Sequence, residues 1–278
     1  MFGRRPDATP VRELSAMRRF MPYVSPRRND SLFYMMQQIE VEAALEHLEK
    51  RNRERPPDRP ITLFHLFLRS CSHALYLRPG VNRFVKAGRL WQRDGEWITF
   101  SAKREIKDGS PMLTVKRRFH PTRESLDEMV DAIYDRLRAG RAGRKTTSDK
   151  EMGLLLRLPG PAIRLALWLA RVGDRLGLLP RSMIEADPLF TSVFVANLGS
   201  IDYPAGFHHL WEYGTASLFG VMGRIEPGPG GRRRISVAWT YDERIEDGLY
   251  SYHTLEGIRE RIEHPELLEL TADRLEER

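Results

Sequence analysis

Apolar and polar residues alternate most regularly between residues 233 and 241, where Ile235, Val237, Trp239 and Tyr241 occupy every second position. A period of two is that of a half-buried strand, and the charged run Asp242-Glu243-Arg244-Ile245-Glu246-Asp247, closed by Gly248, predicts a turn at its end. Residues 31–41 predict another strand, although their apolar run does not alternate cleanly. The spacing then becomes helical. Val41, Ala44, Leu45 and Leu48 share one face of a helix that Arg51-Asn52-Arg53 and the prolines Pro56 and Pro57 end. Thr62 is placed to cap a longer helix, with Phe64, Leu66, Phe67, Cys71, Ala74 and Leu75 inward, before Pro79-Gly80 stops it. Strands at residues 89–91 and 97–102 flank Asp94-Gly95, a hairpin signal, and a further turn at Asp108-Gly109 precedes a strand at residues 112–115. Ser125 caps a helix carrying Leu126, Met129, Val130, Ile133, Tyr134 and Leu137, and a last helix runs from about residue 250 to 264.

Residues 1–30 mix Arg, Pro and Ser without a period and predict an extended arm ahead of one domain, residues 31–278. Gly140 to Lys150 is small, polar and basic, the composition of a surface connection. Residues 151–180 are different. Leucines recur around Pro159-Gly160-Pro161, and Arg157, Arg164, Arg171 and Arg175 are set among them, the pattern of a basic amphipathic helix pair. Such a segment packs on its own domain or on a neighbouring subunit, docks another protein, or lies on an anionic membrane surface.

The composition narrows the choice of compartment and partner. With 41% hydrophobic residues the chain can bury a core, and its single cysteine, Cys71, excludes an intrachain disulfide and fits a reducing compartment. No apolar stretch follows the charged start and no run is long enough to cross a bilayer, so a cytoplasmic protein is expected. The net charge of +7 favours anions in general. The basic clusters Lys116-Arg117-Arg118 and Arg232-Arg233-Arg234 are short and no nucleic-acid motif accompanies them, so no nucleic-acid partner is expected.

The order Tyr241-Asp242-Glu243-Arg244-Ile245-Glu246-Asp247-Gly248 resembles the Asp-His-Arg-x-x-Asp-Gly signature of the dihydrolipoyl acyltransferases, the core subunits of 2-oxoacid dehydrogenase complexes. Three further stretches are similar to that family. They are the helix ending in Pro79-Gly80-Val81-Asn82, the run Phe190-Thr191-Ser192-Val193-Phe194-Val195-Ala196-Asn197-Leu198-Gly199, and Glu263-His264-Pro265-Glu266 after the last helix. The resemblance implies a chloramphenicol acetyltransferase-like α/β fold, a mixed sheet flanked by helices, with residues 151–186 as a helical insertion. It also implies a homotrimer with active sites between subunits. Family assemblies join trimers through an apolar carboxyl end, whereas here residues 267–278 are mostly charged, which predicts an isolated trimer and no cubic or larger shell.

The family transfers acyl groups between dihydrolipoamide and coenzyme A: an imidazole deprotonates the thiol and a hydroxyl stabilises the oxyanion. Carried over, the base falls on Glu243 and the hydroxyl on Ala196, so both functional side chains are missing, while Asp247 and Asn197 match. None of the eight histidines has an aspartate four residues on. A general base contributes about 10²–10⁴ in rate and an oxyanion donor about 10²–10³, so the loss of both leaves little of that reaction. The leading expectation is a non-catalytic binding or scaffolding homologue, with coenzyme A a candidate ligand but no assured cofactor and no metal. Its alternative is an active thiol acyltransferase with Glu243 as base and Asn197, Thr191 or a backbone amide as oxyanion donor, although a carboxylate of reference pKa about 4.3 is a weaker base than imidazole. Asp247 and Arg244 are expected to hold the turn as ion-pair members, and Gly248 to supply a backbone conformation closed to other residues. His208 and His209, beside Trp211 and Tyr213, form the other cluster able to support chemistry; on a strand they would face opposite ways and make a poor metal site.

Overall fold

A computed structural model of the chain describes residues 4–103, 112–142, 153 and 155–276. Its centre is a six-stranded mixed sheet in the order β2-β9-β8-β7-β5-β6, built from β2 (Leu32–Glu40), β5 (Glu96–Lys103), β6 (Met112–Phe119), β7 (Val193–Asn197), β8 (Leu218–Pro227) and β9 (Arg233–Asp242). β5–β7 and β7–β8 are parallel and the other pairs antiparallel. A smaller sheet joins β1 (Ala8–Pro10), β4 (Arg89–Arg93) and β3 (Arg83–Lys86).

One face of the large sheet is covered by α2 (Glu42–Asn52), α3 (Leu63–Leu77), α4 (Leu126–Arg141) and α7 (Gly248–Glu263). The alternation of β9 sends Val237, Trp239 and Tyr241 to that face, where Trp239 stacks on Phe67 of α3 with ring centroids 5.6 Å apart. Gly220 on β8 lies level with Trp239, and a Cβ there would come within 2.7 Å of the indole. The glycine is what lets the indole lie across the sheet. On the opposite face Phe194, Phe219, Val221, Ala238 and Leu210 form a second, smaller cluster under the connection between β7 and β8. Other helices among the described residues are α1 (Ala16–Val24), α5 (Gly160–Leu176), α6 (Arg181–Ala186) and α8 (Ala272–Glu276).

Three local differences from the sequence pattern have identifiable causes. Asp94-Gly95 does not close a hairpin: β4 pairs with β1 and β3, and β5 with β6 and β7, so this turn passes the chain from one sheet to the other. The hairpin in the small sheet turns at Ala87 and Gly88, both with positive φ. The residues read as an extended arm contain α1, capped by Ser15, which accepts from the Arg18 N–H. The Asp108-Gly109 turn and most of the surface connection lie outside the described residues.

The segment after α7 is held against α3. Arg69, buried on α3, donates to the carbonyls of Leu268 and Leu270, and Leu268 and Ala272 are themselves buried.

Candidate functional site

β9 delivers the chain to the turn that carries Glu243. The turn is held by Asp242, whose carboxylate accepts from Arg244 Nε (2.8 Å) and Nη2 (2.7 Å) and faces Arg28 Nε at 3.8 Å. Arg244 Nη1 reaches the carbonyls of Ser25 and Pro26, and Arg28 donates to those of Trp211 and Gly214. One buried carboxylate therefore ties the turn to the segment before β2 and to the β7–β8 connection. Burial lowers the Arg28 pKa from its ordinary value.

Arg244 thus pairs with Asp242 and not with Asp247. Asp247 caps α7 instead, its Oδ1 accepting from Tyr250 N–H at 2.8 Å. Gly248 is the first residue of that helix and has no positive φ, and a Cβ there would meet nothing closer than 3.9 Å. Its expected special conformation is absent because the helix begins at Gly248, about two residues before the start expected from the sequence. The neighbouring Glu246 pairs with Arg83 at 3.0 Å.

Glu243 itself is exposed. Its N–H donates to Ser31 and its carbonyl accepts from Arg18 Nη1 at 2.7 Å, but its carboxylate makes no hydrogen bond or ion pair among the described residues. Ala196 turns its methyl toward the cluster of Phe194, Phe219 and Val221. The two positions are far apart within one chain. Ala196 is level with Val221 and, across β8, with Ala238, whereas Glu243 lies five residues beyond Ala238. At about 3.4 Å per residue this is about 17 Å along the sheet.

Asn197 ends β7. Its Oδ1 accepts from Ser200 N–H at 3.2 Å, which leaves Nδ2 without a partner among the described residues. Asn197 and Ser200 line a groove of about 370 Å³ with Phe64, Leu137, Met222 and His65. Thr191, the other side chain weighed as an oxyanion donor, is fully buried and donates to the Trp97 carbonyl at 2.8 Å, so its hydroxyl is not available to a ligand.

His65 is a residue that the apolar pattern of α3 hid. Thr62 and His65 form a capping box: Thr62 Oγ1 accepts from the His65 N–H, and His65 Nδ1 accepts from the Thr62 N–H at 3.1 Å. With Nδ1 an acceptor, the proton sits on Nε2. Burial, with Arg55 nearby, lowers the pKa to about 4, so the ring is a neutral donor beside the groove and a poor base. The Thr-x-x-His spacing in the sequence was the available signal.

His208 and His209 lie on no strand. Their rings stack on each other at 4.6 Å, and His208 stacks on Phe219 at 4.3 Å. His208 Nδ1 donates to the His209 carbonyl at 2.7 Å, so Nε2 carries the lone pair. No group of three or more His, Cys, Asp or Glu suited to a metal occurs among the described residues. Cys71 is buried and burial raises its pKa, which leaves it an inert thiol. No helix among the described residues is long and apolar enough to cross a membrane.

No family model matches the sequence, and no curated protein sequence does. Solved structures are similar in fold. A protein described as a probable dihydrolipoamide acetyltransferase from Listeria monocytogenes superposes with a TM-score of 0.61 at 13% identity, over 91% of this chain and 94% of that one. A truncated catalytic core of the 2-oxoacid dehydrogenase multienzyme complex from Thermoplasma acidophilum gives 0.59 at 15% identity, over 92% and 98%. A chloramphenicol acetyltransferase gives 0.53 at 14% identity, also over 92% and 98%. The chain has the chloramphenicol acetyltransferase-like fold found in the catalytic cores of dihydrolipoamide acetyltransferases.

Proposed function

We propose that this protein is an acyltransferase-fold homotrimer that binds or scaffolds and does not transfer acyl groups through the positions its relatives use. The observation that carries this reading is chemical. The position matching the catalytic imidazole is an exposed carboxylate with no hydrogen-bonded partner among the described residues, and the one matching the oxyanion hydroxyl is a methyl group against an apolar cluster. Neither removes a proton from a thiol or stabilises an oxyanion as its counterpart does.

The trimer is supported by the separation of Glu243 and Ala196 within one chain, which leaves contact between chains as the route to a shared site. Exposed Phe33, Tyr34 and Met36 on the edge strand β2, with Phe207 against Tyr34, give an apolar surface beside the Glu243 turn that a second subunit would cover. Arg69 holds the Leu268 and Leu270 carbonyls against α3, and we read the assembly as an isolated trimer, in contrast with the cubic core of a pyruvate dehydrogenase complex that shares the fold. Buried Cys71 and the lack of any disulfide among the described residues agree with a cytoplasmic setting.

A second reading keeps thiol acyl transfer, with Glu243 as base and coenzyme A as one substrate. It is favoured by Asn197, which lines the groove beside the neutral His65 and whose Nδ2 has no partner among the described residues. One assay separates the two. Purified protein is given acetyl-coenzyme A and a dithiol acceptor; turnover near background, unchanged in Glu243→Gln, is expected. Strong transfer that disappears in Glu243→Gln would refute the first reading and establish the second.

A further inference from the structure

α5 and its flanks carry a pattern that neither reading uses. Seven of the exposed large apolar side chains fall between residues 156 and 178: Leu156, Leu158, Leu165, Trp168, Leu169, Leu176 and Leu178. Leu165, Trp168 and Leu169 are 56%, 57% and 55% exposed, far more than a packed helix allows. At 100° per residue, Leu165, Leu169 and Leu176 form one row along the helix, with Trp168 beside them, and Arg164, Arg171 and Arg175 form the adjacent row. Arg157 precedes the helix and is also exposed.

The other side of α5 is more covered. Ala162, Ile163, Ala166, Leu167 and Ala170 are half-buried, and Asp174, the one acidic residue between 155 and 180, is buried. Its carboxylate pairs with Arg5 at 2.5 Å and with Lys86. The helix ends at Gly177, in the left-handed conformation, where a Cβ would come within 2.2 Å of the Arg4 carbonyl. The helix is thus fixed in orientation, and its outward arc presents leucines and a tryptophan bordered by arginines, with no carboxylate.

We propose that this arc is a docking surface for a membrane, and that its partner is a bilayer bearing anionic headgroups. The charge pattern selects this occupant. A bilayer interface accepts leucine and tryptophan at the depth of the headgroups and pairs the adjacent arginines with lipid phosphates. A second copy of the same arc would set arginine against arginine, with no acid on either side to compensate. The inference is independent of whether the protein transfers acyl groups, because it uses no residue of the Glu243 turn or the Asn197 groove.

The test is co-sedimentation of the full-length protein with vesicles of neutral phosphatidylcholine, alone or with phosphatidylglycerol. Binding to the anionic vesicles, weak binding to the neutral ones and loss of binding with added salt are expected. Each arginine removed should lower partitioning about fivefold at low salt, so Arg164→Glu/Arg171→Glu/Arg175→Glu should abolish it, and Leu165→Ser/Leu169→Ser should weaken it on both compositions. Brominated lipid should quench part of the tryptophan fluorescence of the native protein, and less of it in Trp168→Phe. All these side chains are exposed, so circular dichroism of the variants should match the native protein. The proposal is overturned if the native protein ignores anionic vesicles, if the triple variant binds as well as the native one, or if iodide fails to reach Trp168 without lipid, which would mean that another subunit covers the arc.

Discussion

His73 offers a direct test of how the core responds to acid. It lies in α3, fully buried, and neither ring nitrogen has a hydrogen-bond partner among the described residues. Burial, with Arg69 and Arg261 nearby, lowers its pKa from 6.5 to about 2. Between those values the unfolded chain binds a proton that the folded chain refuses. Stability contributed by the neutral ring is therefore complete above 6.5 and is lost as pH falls below it, at up to about 1.4 kcal/mol per pH unit. From pH 7 to pH 5 the loss is about 2 kcal/mol. His65, held at about 4 by the same cause, adds about the same. Together they reach about 4 kcal/mol, a large share of the roughly 5–15 kcal/mol that holds a typical domain. His73→Leu removes one titrating group at nearly constant volume. Urea unfolding followed by tryptophan fluorescence at pH 7 and pH 5, at fixed protein concentration, should show the variant losing about 2 kcal/mol less than the native protein over that interval. An identical pH dependence in the two would refute the claim that the ring is neutral in the fold.

Other outcomes follow from the same geometry. Asp247→Ala removes the cap of α7 and should cost about 1 kcal/mol, read as a lowered thermal midpoint. Asp242→Asn leaves Arg244 and Arg28 partly uncompensated in a buried site and should cost about 3–5 kcal/mol in chemical denaturation, far more than Glu243→Gln, whose side chain is exposed. Light scattering should give a particle of three subunits; a mass many times larger would contradict the isolated trimer.

The strand β9 was legible because its alternation is dictated by one buried face, and the caps of α3 and α4 because Thr62 and Ser125 stand before apolar helical runs. Family likeness carried the fold further than periodicity did, since it linked stretches that lie far apart in sequence. What stayed hidden depended on contacts between distant residues. No local signal tells that Arg28 faces Asp242, that Asp94-Gly95 joins two sheets, or that Asp174 sits inside α5 to meet Arg5. His65 was hidden for another reason: it occupies a capping position more familiar for glutamate, within a run read only for its apolar face.

The Asp242 clamp bears on what engineering this molecule would require. Arg244, Arg28 and the carbonyls they grip stiffen the bend after β9 without any help from the Glu243 side chain. A ring installed there by Glu243→His would arrive on a platform already braced, so a change of side chain at this bend leaves its backbone supports in place.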